Sequence, residues 1–168
     1  MGDRPLDLPD PEDAFDEDLI ANVHEHGWAW IHVADEHHPH HPRDAEAEAD
    51  PVADASFGYT LGVSLTLAHP EIILVGRWEH RHAFVAQVVR LIEDGERFAP
   101  GDTSDDVLTD LPVMFGAVSE SERKWRLTYA DWLNRRRPFE AVQLILPGPN
   151  GAWPWEREYV ALAQPLLA

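Results

Sequence analysis

The chain has 168 residues, an apolar fraction of 44% and no cysteine, enough for one real core and excluding disulfides, thiolate zinc sites, iron–sulfur clusters and a cysteine nucleophile. Its net charge is -18, and residues 1–55 hold 16 acids against 2 bases, so the excess sits in the N-terminal third. Such a chain repels phosphate backbones and anionic lipid, which makes nucleic acid and membrane surfaces poor partners. The acidic third is either a solubilising face or an arm for a protein partner. No apolar run reaches the roughly 18 residues needed to span a bilayer. The start "MGDRPLDLPDPEDAFDED" has no basic flank, apolar stretch or myristoylation pattern, so a cytoplasmic protein is expected. Twelve of the 13 bases are Arg, a usage that suggests a GC-rich bacterial genome.

Residues 1–12 carry three prolines and scattered acids and read as a flexible acidic lead-in. Residues 13–168 are expected to form a single domain. Residues 13–26 predict a helix capped by Asp13, with Phe15, Leu19, Ile20 and Val23 as its apolar stripe and Gly27 as its stop. "WAWIHV" at 28–33 predicts a strand. The His- and acid-rich stretch 34–55 has no periodicity and reads as a long mobile excursion.

The next strand, 56–64, alternates in an unusual way. Phe57, Tyr59, Leu61 and Val63 share one face, and Ser56, Gly58, Thr60, Gly62 and Ser64 share the other. A face without bulk admits another backbone, a helix or a flat ligand. On the ligand reading, the hydroxyls of Ser56, Thr60 and Ser64 orient it. Gly62→Val would then cost ligand retention before folding, provided φ there is negative.

Residues 71–76 predict a short strand, apolar throughout at "IILV", and 82–94 a helix ended by Gly95. Residues 96–118 read as a polar loop between short strands. "SESE" at 119–122 then opens a helix with Ser119 and Glu122 as a capping box, running to the three arginines before Pro138. "FEAVQLILP" is the last strand. Helix, strand, strand, strand, helix, strand, helix, strand predicts an α+β fold with a mainly antiparallel or mixed sheet of about five strands and two or three packed helices.

"GWAWIHV", "FGYTLGVSLTLAHPEIILVG", "FEAVQLILPGPNGAWPWE" and "AQPLLA", in this order, resemble a bacterial family, the domain-of-unknown-function family 4262. Its pattern is a glycine–aromatic strand start, a "YT-x-G" strand, an "HPE" connection, a "Q-L-x-x-P" strand, a "PW-acid" turn and a "QP" ending. The chain departs from it where Gly148 follows Pro147 in place of an acid, where Glu156 replaces Asp after "PW", and in a longer, His-rich excursion. The resemblance implies the fold and the region of a site, and no activity.

The candidate groups each have two readings. His69 and Glu71 of "HPE" either form an acid–base pair beside the small face, or Glu71 ties backbone amides or a helix end while His69 packs at the strand entrance. Gln143 reaches either a ligand or a backbone. Trp153 and Trp155, beside Glu156, either stack on a flat ring or close the core. His37, His38, His40 and His41 in "HHPHHP" either bind a metal or form a solvated loop with adventitious affinity. No deaminase, zincin, P-loop, kinase or G-x-S-x-G signature occurs, and no motif names a cofactor. The expected function is therefore small-molecule binding in a groove between the 56–64 strand and the Trp153–Trp155 segment. The alternative is a non-catalytic interaction or regulatory module.

Overall fold

The computed structural model describes residues 5–33, 56–76, 80–161 and 164–168. A central sheet has the strands β1 (Ala29–Val33), β2 (Phe57–Leu61), β3 (Glu71–Val75), β4 (Thr103–Ser104), β5 (Val113–Ala117) and β6 (Ala141–Ile145). Their order across the sheet is β1-β2-β3-β6-β5-β4. Every neighbouring pair is antiparallel except β3 and β6, which run parallel with Ile73 opposite Gln143. The fold is α+β with a mixed sheet, as the element order predicts, with six strands among the described residues in place of about five.

Among the described residues five helices accompany the sheet: α1 (Ala14–His26), α2 (Val63–Thr66), α3 (Arg81–Glu93), α4 (Glu120–Arg126) and α5 (Thr128–Leu133). α1 begins where Asp13 accepts the Asp16 amide and ends at Gly27, whose φ of 83° is the left-handed region that glycine enters freely. Alternation then sorts the strands onto two cores. Ile31, Phe57, Tyr59, Ile73 and Val75 pack with Leu19 and Val23 of α1 and with Leu127, Ala130 and Leu133 of the α4–α5 region. Ile72, Leu74, Val142 and Leu144 point the other way, against Val85, Val88, Val89 and Ile92 of α3. A sheet covered on both faces explains why β3 and β6 are buried at every position.

Three local expectations change. The 56–64 strand stops at Leu61, because Gly62 takes a φ of 102° and starts the short helix α2. Gly62 and Ser64 therefore leave the small face of the strand. The condition attached to Gly62→Val is not met, so valine there would strain the backbone whatever the groove holds. The helix that opens at Ser119 divides at Leu127, with φ -95° and ψ 48°. Its capping box is half made: Ser119 Oγ accepts the Glu122 amide, but the Glu122 carboxylate is drawn to buried Arg126 at 2.8 Å. The Ser119 amide donates instead to the Leu167 carbonyl. In the lead-in, Leu6 and Leu8 pack on the core beside α5 and Asp7 accepts from Arg135 at 2.6 Å. Among the described residues no helix is long and apolar enough to cross a membrane.

Candidate functional site

The small face of β2 is occupied by the strand next to it. β1 and β2 pair with Trp30 opposite Thr60 and His32 opposite Gly58. The Trp30 indole leans diagonally over Gly58, so closely that a Cβ there would overlap the six-membered ring, 2.6 Å from its Cη2. Glycine at 58 is thus the space for an indole, an approach only a residue without a side chain permits. The hydroxyls on this side are also engaged. Ser56 Oγ accepts from Arg81 Nη1 at 3.1 Å, and the same nitrogen donates to the Gly76 carbonyl at 2.9 Å. Thr60 Oγ1 donates to Glu71 Oε2 at 2.6 Å and accepts the Ile72 amide at 2.8 Å. Tyr59 points to the opposite core, where its hydroxyl accepts the Tyr129 amide.

Glu71 is buried and takes four donors. Besides Thr60, its Oε1 accepts from the amides of Gly62 (3.1 Å) and Ser64 (3.0 Å) and from Ser64 Oγ (2.7 Å). Burial pushes its carboxyl above the usual range, and the four donors pull against that. The group holds the left-handed turn at Gly62 and the start of α2 against β3.

His69 is buried beside it in sequence but faces elsewhere. Its Nδ1 lies 2.8 Å from the Pro70 carbonyl and so carries the proton it donates, while Nε2 accepts the Phe98 amide at 3.0 Å. Both ring nitrogens are committed to backbone. An open hollow of about 440 Å³ passes His69, Ser64, Asn134 and Arg137.

Burial lowers the His69 imidazole below its ordinary 6.5. The folded state then binds the proton less tightly than the unfolded chain. The stability this confers is complete above pH 6.5 and is lost as pH falls through that value toward the lower native one. Urea unfolding between pH 7 and 5 is expected to show wild-type stability declining toward acid, with a flatter profile for His69→Ala. Equal slopes for the two proteins would contradict this assignment.

Gln143 lies in the middle of the sheet. Its amide donates to the Pro165 carbonyl at 2.7 Å, and its carbonyl accepts the Leu167 amide at 3.0 Å. Gln164 binds the Leu146 amide and carbonyl in the same manner, so two glutamines stitch the "QP" ending to β6. Trp153 and Trp155 stack on each other with centroids 5.6 Å apart, and Glu156 Oε2 accepts the Trp153 amide. β3 stands between β6, which leads to this segment, and β2. The segment that carries the tryptophan pair thus follows a strand two places from β2 in the sheet. His37, His38, His40 and His41 lie outside the described residues. Within those described, no three His, Asp or Glu side chains gather as a metal site.

The structure gathers a different set. Trp28 and Trp30 alternate onto the same side of β1 and meet His82 of α3. The His82 ring stacks on Trp28 at 5.7 Å, nearly parallel, and meets Trp30 edge-on at 6.1 Å. These rings line an open cavity of about 610 Å³ between α1, β1 and α3, with Asn22, His26 and Glu93 at its margin. The volume falls within the range of small-molecule sites. The signal for it was in the sequence: two tryptophans at i and i+2 next to a strand whose matching face is small. Bulk on one strand complements space on its neighbour, as the Trp30 ring over Gly58 shows.

No curated protein and no solved structure matches the chain. The model of one family, described as a domain of unknown function (DUF4262), matches residues 22–160. That span takes in all six strands, Trp28, Trp30 and His82, as well as the anchored Glu71, and the protein belongs to this family.

Proposed function

We propose that the protein binds a small molecule on Trp28, Trp30 and His82, in the groove between α1, β1 and α3. The observation that carries this reading is the convergence of two half-buried indoles and the exposed His82 ring on one cavity of about 610 Å³. The exposed part of these rings, with a carboxylate and an amide at the margin, offers a flat or compact ligand both area and orientation. The sites first expected from the sequence contribute less: Glu71, His69 and Gln143 have their polar atoms committed to the fold. The acidic N-terminal third supports a second reading, a module that captures a protein partner by charge.

Native mass spectrometry of protein purified without denaturation separates them. The expected result is a defined small-molecule mass on the wild type that disappears in Trp28→Ala while the variant still melts cooperatively. A co-purifying polypeptide in place of that mass supports the second reading. A wild type that carries nothing, or an adduct indifferent to Trp28→Ala, sinks the first.

A further inference from the structure

We infer that the ligand of this groove is a cation of the alkylammonium class. The inference rests on the small-molecule reading above and adds the chemistry of the ligand. The His82 ring stacks on one indole at 5.7 Å and meets the other edge-on at 6.1 Å, so the three rings together form an aromatic seat along one side of the cavity. Indole faces are the strongest aromatic partners for a cation within about 6 Å, and they favour quaternary ammonium groups, which shed water easily.

The margin agrees with the seat. Of the residues lining the cavity, Glu93 is the acid and none is Lys or Arg. An anionic ligand would meet both the carboxylate and the negative faces of the indoles. A neutral ring would gain at most a hydrogen bond from Glu93, where a cation also gains the charge. Asn22 adds an amide that serves a hydroxyl or carbonyl on the ligand. The net charge of -18 raises the local concentration of cations around the whole molecule.

The test uses choline chloride and its uncharged carbon isostere, dimethylbutanol, titrated into the full chain. The indole N–H resonances of Trp28 and Trp30 are followed by NMR. Choline is expected to bind about tenfold more tightly than the isostere, as a partly desolvated cation–π contact with a nearby carboxylate would give. Trp28→Ala should abolish the choline response. Glu93→Gln, at an exposed position that keeps its size, should narrow the gap between the two probes and leave dimethylbutanol unchanged. Equal binding of both probes overturns the charge preference while the small-molecule reading stands. No response to either on the wild type also overturns it, and the fate of the small-molecule reading then rests on the native mass measurement alone.

Discussion

Glu71→Ala is expected to lower stability by about 4 kcal/mol, or Tm by about 8–16 °C. The substitution removes the acceptor of four donors at once, and two of those are the backbone amides of Gly62 and Ser64, which cannot turn away. A buried donor left without a partner costs about 1–3 kcal/mol each, and the vacated side-chain volume adds to the loss. Glu71→Gln keeps an oxygen for the three donors on Oε1 and places its amide nitrogen toward Thr60. It should therefore fall between Ala and wild type, nearer to wild type. Chemical denaturation with matched m-values checks the order. An alanine variant as stable as the wild type would mean that the Gly62 turn holds itself, and that the carboxylate is free for other work.

The second large effect is expected at Gly58. An alanine there puts its methyl into the Trp30 ring, and the backbone of β2, paired on both sides, cannot withdraw. Overpacking of this kind costs about 1–3 kcal/mol. Trp30→Leu alone also destabilises, by leaving the face of β2 underfilled. In the double variant the smaller side chain makes room for the methyl, so the two losses should be less than additive, by about 1 kcal/mol or more. Because Trp30 also walls the groove, Gly58→Ala should lose the bound small molecule along with stability. Strictly additive losses would show that Trp30 and Gly58 do not contact each other in solution.

These two positions also mark where sequence reasoning stops. The small face of 56–64 was legible, and so was the need for something to cover it. What covers it is a side chain from β1, fixed by a pairing register that places His32 opposite Gly58 and tilts Trp30 across it. The two readings of Glu71 were open on residue type alone. Its four donors come from residues 60, 62 and 64, which meet it only because β2 turns back antiparallel onto β3. Gln143 likewise needed a partner from 22 and 24 residues further along.

The sequence by itself determined the elements whose signals are local. Asp13 and Gly27 bound α1, Ser119 starts α4, and alternation marks β1 and β2, because caps and periodicity act between residues a few positions apart. The α+β class followed from the order of those elements. The tertiary structure alone decided the parallel pairing of β3 with β6, across some 70 residues, and the meeting of β1 with α3 that brings Trp28 and Trp30 to His82. It also decided the break at Leu127 and the place of β3 between β2 and β6, the strand that leads to the Trp153–Trp155 pair. The reason is that such contacts are selected by how the whole core packs once the sheet has formed. A sequence records the shapes that must be filled, and the register between distant strands chooses what fills them.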